Sequence, residues 1–350
     1  MADPPNSGIN DRTFVRRTLI VLALASLVFL LWELRSLFLM LFGAVVVATM
    51  FRALADRIRI WTRCSEVVSV VVSILLILGF MIGLIALFGA HIAQQVHVLR
   101  EALPAAWQSL EQRVGDLGLG DQLSRLADGV RQSSGSFANL SSAIMSVGNG
   151  IAEMLIVLFG GIYLAAQPRV YRTGAIKLVP PGKRALVAEA MDESEKALRL
   201  WLKGQLIAMV AVGLMVGIGL QLLGLRSALT LGLLAGVLEF IPFLGPFLAA
   251  VPAILLALAV SPDLALWVLL LYVAVQQLEG YLLTPLVQQY AVELPGVVLL
   301  FSLLGFGLLF GTLGVILAAP LTVVSYVLVK RLYVIETLHT PTPIPGEDKA

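Results

Sequence analysis

The chain has 350 residues, 59% of them hydrophobic and 13% charged, against roughly 45–50% and about 25% in soluble globular chains; no compact water-soluble core could hide that excess, so the solvent is lipid. The formal charge is +2 from 24 basic and 22 acidic residues, a balance that argues against a nucleic-acid partner. One cysteine, Cys64, and three scattered histidines, His91, His97 and His339, give no disulfide, metal site or cysteine–histidine pair, and neither an enzyme nor a cofactor is expected.

Residues 1–17 end in Arg12, Arg16 and Arg17, which place this segment in the cytoplasm by the positive-inside rule. No small-residue cleavage site follows, so the apolar run is read as a span and not as a signal peptide. Residues 18–90 hold three transmembrane helices. The first turns at Glu33 and Arg35 into a second, 37–51, which is followed by Arg52, Arg57, Arg59 and Arg63; the third covers 67–89. Basic clusters on both sides of the first pair put both of its ends inside. Residues 91–140 form an external amphipathic segment in which four arginines face five acids. There Ile92, Val96, Leu99, Leu103, Ala106 and Leu110 make a heptad-like seam.

A fourth transmembrane helix covers 141–166, and residues 167–203 form a cytoplasmic amphipathic segment with a stripe at Val187, Met191, Ser194, Leu198 and Trp201. That stripe suits packing, the membrane interface or contact between protomers. Residues 204–331 form a core of two units, each a span followed by a broken apolar segment. The broken segments, 227–260 and 296–329, hold 34 residues each. A continuous helix of that length would measure roughly 50 Å, against a hydrocarbon core of about 30 Å. The first is interrupted at Glu239-Phe-Ile-Pro-Phe-Leu-Gly-Pro246, where Pro242 and Pro246 each remove a backbone donor and Gly245 supplies a bend. The second is interrupted at Gly311-Thr-Leu-Gly314 and carries Pro320. Both are read as re-entrant helical hairpins whose tips meet within the membrane; eight plain spans are the alternative. Residues 332–350, with Pro341, Pro343 and Pro345, make a disordered cytoplasmic tail.

The fold class is therefore an all-α polytopic membrane protein with about six full spans and two hairpins. The broken segments share Leu-Gly-x-x-Leu-Ala-Ala at a 69-residue offset, Leu244 to Ala250 and Leu313 to Ala319. The first unit begins inside and the second outside, so the two are related by inverted topology, an arrangement common in secondary transporters.

A helix broken in lipid leaves carbonyls and amides that need partners, and a polar solute or cation can supply them. Polar side chains at membrane depth are costly and mark candidate sites. The candidate solute-binding residues are Gln205, Glu239, Pro242, Gly245, Pro246, Gln276, Gln277, Glu279, Gly311, Thr312 and Gly314. Gln276 and Glu279 share one helix face; Gly245, Gly311 and Gly314 let a ligand approach the backbone.

Leu202-Lys-Gly-Gln205, the run from Leu238 to Pro246, Gln276-Gln-Leu-Glu279, Pro285 and the Gly311 to Pro320 motif resemble the autoinducer-2 exporter family of bacterial membrane proteins. The resemblance implies a homo-oligomer, a pentamer, in the bacterial inner membrane. It also implies two helical hairpins per protomer and export of small polar molecules, with elevator-like movement. Relatives often carry a Gly-Lys pair and later a His-Pro after the proline matched by Pro285; this chain reads Leu286-Val-Gln-Gln-Tyr-Ala-Val-Glu-Leu-Pro295 and keeps only the last proline. The leading expectation is a secondary exporter of a small polar organic solute bound between the hairpin tips. A monovalent cation–proton antiporter, sodium against protons, with Glu239 and Glu279 as alternating carriers, is the second. The third is a membrane scaffold that recruits a partner through the external segment.

Overall fold

The computed structural model describes residues 11–84, 86, 140–283 and 294–342. The external segment 91–139, the loop 286–293 and the last residues of the tail lie outside them, and with them Pro285. Every regular element among the described residues is helical, as the composition requires.

Among the described residues six helices are long and apolar enough to cross a membrane, the last of them the segment from Gly296 that is kinked at Gly311, and the bent pair Ala152–Ala166 and Pro168–Lys177 passes the same test together. Helices α1 (Asp11–Glu33) and α2 (Arg35–Thr62) are joined at Leu34, and α3 is Glu66–Leu84. Arg63, in the left-handed conformation, closes α2 by donating its amide to the Arg59 carbonyl, a C-terminal stop of the kind that usually uses glycine. Helix α4 (Leu140–Ala166) bends by 93° into the short α5 (Pro168–Lys177). Pro168 stands at the first turn of α5, where its missing amide costs nothing.

Helix α6 (Arg184–Leu222) is one unbroken run of 39 residues, about 58 Å long. The division expected at 203/204 is no break in the chain: the amphipathic segment and the fifth span are a single rod. Its stripe turns inward, where Leu198 and Trp201 are buried together with Ala197 and Leu202 in a cluster shared with α2 and the last helix.

Helices α7 (Ala228–Leu238) and α8 (Leu244–Leu258) follow. At 11 and 15 residues they measure about 16 and 22 Å, short of the membrane core. They form the first hairpin. Helix α9 (Pro262–Leu278) opens on a full set of start signals: Ser261 accepts from the Leu264 amide at 3.1 Å, Pro262 holds the first helical position and Asp263 lies in the first turn. Its last residues run on into a π-helical turn, Glu279–Leu283.

Helix α10 (Gly296–Val329) contains one non-helical residue, Gly311, at φ 67° and ψ −145°. A Cβ on Gly314 would stand 2.0 Å from the carbonyl oxygen of Phe306. Eight residues apart in a straight helix are separated by about 12 Å, so the chain has doubled back. This is the second hairpin.

Three apolar clusters organise the fold. One joins α6, α7, α8 and α9. The second joins α2, α6 and α10, with Phe240 from the first hairpin packed against it. The third joins α2, α3 and α4. Helix α6 belongs to the first two and α2 to the last two, so these two rods tie the molecule together.

Candidate functional site

The first tip is built by a helix that stops and a turn that has no amide to spare. Helix α7 ends at Leu238, and the next amides fold back: Phe240 donates to the Val237 carbonyl at 3.2 Å and Ile241 to that of Leu238 at 2.9 Å. Pro242 has no amide to donate, and Phe243 takes a positive φ of 65°, a conformation costly for a residue with a Cβ. The Gly245 amide then closes the turn on the Ile241 carbonyl at 2.8 Å. A Cβ at Gly245 would lie 2.0 Å from the Leu238 carbonyl oxygen, so only glycine fits. Pro246 falls in the first turn of α8, where a proline is tolerated.

The second tip repeats this construction. A Cβ on Gly314 would stand as close to the Phe306 carbonyl oxygen, 2.0 Å, as one on Gly245 to that of Leu238. The two glycines occupy equivalent places in the Leu-Gly-x-x-Leu-Ala-Ala repeat. Each hairpin also turns on one positive-φ residue, Phe243 in the first and Gly311 in the second. The sequence repeat is therefore a structural repeat.

The glutamates meet at the first tip. Glu239 is only 2% exposed, and its backbone carbonyl accepts from Gln205 Nε2 at 2.6 Å. Its carboxyl group lies within hydrogen-bonding reach of that of Glu279. Glu279 in turn accepts from Gln276 Nε2 at 2.6 Å. Glu239 Oε2 is buried and has no hydrogen-bond partner among the described residues. One turn before Gln276 on α9, the hydroxyl of buried Tyr272 donates to the Ala249 carbonyl of α8 at 3.2 Å and fixes how α9 lies along the hairpin.

Four predicted site residues, Gln205, Glu239, Gln276 and Glu279, are thus brought together. Pro242, Gly245 and Pro246 shape the turn beside them. Gln277 is exposed on another face of α9. Gly311 and Thr312 are exposed and Gly314 buried at the second tip, and none of the three bonds to the glutamate cluster. The connection between tips is apolar. Phe240 packs edge-on against Trp201, with ring centres 5.8 Å apart at 73°. Phe310 and Leu313 of the second tip pack against the same cluster. The first tip also reaches further than mid-span: Glu239 is level with Gln205, at the start of the span expected over 204–223.

Two contributors escape the residue-type reading. Arg35, at the α1–α2 join, donates from Nε to the Leu309 carbonyl at 3.2 Å, at the end of the first arm of the second hairpin. Its guanidinium also bonds the Trp32 carbonyl at 2.7 Å and lies 4.6 Å from the centre of the Trp32 ring. The only sequence signal was a charge between two apolar runs. The second contributor is a glycine seam. Gly213 and Gly217 on α6 face Gly232 and Gly236 on α7, and a Cβ at Gly232 would stand 2.6 Å from the Gly217 Cα. The signal here was two Gly-x-x-x-Gly motifs, a spacing known to let membrane helices approach closely.

Comparison with known proteins adds the following. The profile described as AI-2E family transporter matches residues 19–333. YueF of Bacillus subtilis (strain 168) is 30% identical over 281 residues, which cover 75% of each chain. YrrI of the same organism is 30% identical over 214 residues, 60% of this chain and 61% of that one. The AI-2 transport protein TqsA of Escherichia coli (strain K12) is 26% identical over 291 residues, 80% of this chain and 82% of its own.

Proposed function

The chain belongs to the AI-2E family of transporters, and from that premise we propose that it is a secondary exporter of a small polar organic solute, held between the two hairpin tips. The observation that carries this reading is the polar cluster of Gln205, Glu239, Gln276 and Glu279, set at a broken helix in an otherwise apolar body. An acidic side chain as fully buried as Glu239 is costly unless it serves a site. The wall common to both tips, Trp201 with Phe240, Phe310 and Leu313, gives a solute an apolar floor. The exposed Gly311 and Thr312 would close over it from the second hairpin.

TqsA, by its name, transports AI-2, and a small polar solute of that kind suits amide and carboxyl partners. The protein works in the bacterial inner membrane with both termini in the cytoplasm, as a homo-oligomer of five, and carries the solute by an elevator-like movement of the hairpin-bearing core. Reconstitution tests the proposal. Liposomes with the full-length protein should release trapped autoinducer-2 or a similar small polar solute. Glu239→Gln and Gly314→Leu should each slow release at least tenfold; unaltered rates in both variants would discredit the site.

A second reading, monovalent cation–proton antiport, is favoured by one feature, the contact between Glu239 and Glu279. It predicts sodium-dependent proton movement in the same vesicles. A flat response across sodium concentration and pH would eliminate it.

A further inference from the structure

We propose that Glu239 and Glu279 form a single proton-binding site, with one proton shared between the two carboxyl groups of each protomer, and that this proton is the coupling ion of the carrier. The inference deepens the carrier reading and rests on it for the coupling role alone. It departs from a pair of alternating carriers, because the two groups are in contact rather than apart.

Two bare carboxylates in contact repel strongly where water is excluded, so something positive must lie between them. The local backbone adds to the demand. Glu239 is the residue that ends α7 and Glu279 the one that ends α9. The C-terminus of α7 therefore brings negative partial charge to the pair, while α9 runs on past Glu279 into its π-helical turn. No lysine or arginine among the described residues forms an ion pair with either. The charged residues of α6 lie at its start, from Arg184 to Arg199, with Arg199 paired to Asp56 and Glu195, and only exposed Lys203 stands within a turn of Gln205; α9 and its turn add Tyr272, whose hydroxyl is already engaged with Ala249, and exposed Tyr281. Helix α8 contributes none.

The donors that are present are used elsewhere. Gln205 serves the Glu239 backbone carbonyl and Gln276 serves Glu279 Oε2. Glu239 Oε2, on a side chain almost wholly buried, has no donor among the described residues. An oxygen in that position is compensated if its carboxyl group is protonated, and a proton between carboxyl groups is the smallest occupant that fits a contact this close. Both glutamates belong to the body formed by α6, α7, α8 and α9, so a proton bound here travels with that body as one charge.

Infrared difference spectroscopy on the full-length protein in lipid vesicles reads the proton without any solute. At neutral pH the wild type should show the carbonyl stretch of a protonated carboxyl group, shifted on exchange into deuterium oxide. It should integrate to one group per chain, disappear in Glu239→Gln and shift or disappear in Glu279→Gln. Both replacements keep the side-chain shape, and the amide backbone bands of the same spectra report whether each variant is folded. Absence of a protonated-carboxyl band in the wild type at neutral pH would overturn the proposal, and needs no variant. So would a band that survives unchanged in both variants. A band that behaves as expected in a protein that moves no solute would sustain the proton site and refute the carrier reading; solute movement without the band would do the reverse.

Discussion

At the scale of single residues the two tips depend on atoms that are missing. Gly245 and Gly314 each press a bare Cα against a main-chain oxygen, and a methyl group there would stand at 2.0 Å. A carbonyl in a tight turn has little room to retreat, so overpacking at the upper end of about 1–3 kcal/mol is expected. Gly245→Ala and Gly314→Ala should each lower the melting temperature of the purified protein by several degrees. Gly79→Ala, on α3 with open space around it, should leave it unchanged or raise it slightly, since alanine is the better helix former. Equal melting temperatures for all three would show that the tips are not built as described. These glycines were legible in the sequence because Pro242, Pro246 and Gly311 already marked a break. The partnership of Glu239 with Glu279 was not. The two acids are 40 residues apart in the chain, and only the antiparallel course of α7, α8 and α9 brings them together.

At the scale of elements, helix pairing follows small residues. Water offers no drive for two apolar helices to associate in lipid, so close approach and the dispersion contacts it permits must supply the energy. The Gly213, Gly217, Gly232 and Gly236 seam lets α7 lie directly on the backbone of α6. Gly160 and Gly161 of α4 do the same against Ala44 and Val47 of α2. Replacing Gly232 by leucine would force α7 away from α6 and tilt the first tip with it. Gly232→Leu should therefore lose both thermal stability and solute release, although it lies two turns from Glu239; retention of full release would contradict a tip positioned by this seam. Element by element, the hairpins and spans were readable from length against membrane thickness. The continuity of α6 was not, because Lys203 looks like an end of a span. Yet lysine is a good helix former and its exposed side chain can reach out of the apolar zone, so nothing there stops the helix.

At the scale of the whole molecule, the apolar clusters and the ion pairs do different work. Arg331 pairs with Glu189 and, at 3.7 Å, with Glu193; Arg199 pairs with Asp56 at 2.7 Å and with Glu195 at 2.9 Å. These pairs gather the ends of α2, α6 and α10 on one side, as the grouping of basic clusters in the sequence suggested. Their members are partly exposed, and such pairs are worth about 0–1 kcal/mol. Trp201 is nearly buried between the two hairpins, and removal of a buried tryptophan costs about 3–5 kcal/mol. Arg331→Gln should thus leave the melting temperature almost unchanged while Trp201→Ala lowers it sharply; the reverse order would mean that charge rather than packing joins the hairpins.

In a carrier of this kind the two tips line one path which opens to each side of the membrane in turn. This alternation is tested most directly with a single reporter cysteine at Thr312, an exposed residue of the second tip, in a Cys64→Ser background. Sealed vesicles of known orientation are treated with a membrane-impermeant maleimide, applied from outside in one sample and trapped inside in another. The account predicts labelling of Thr312→Cys from both faces, slowed from both by a transported solute. Labelling confined to one face, with or without solute, would contradict it.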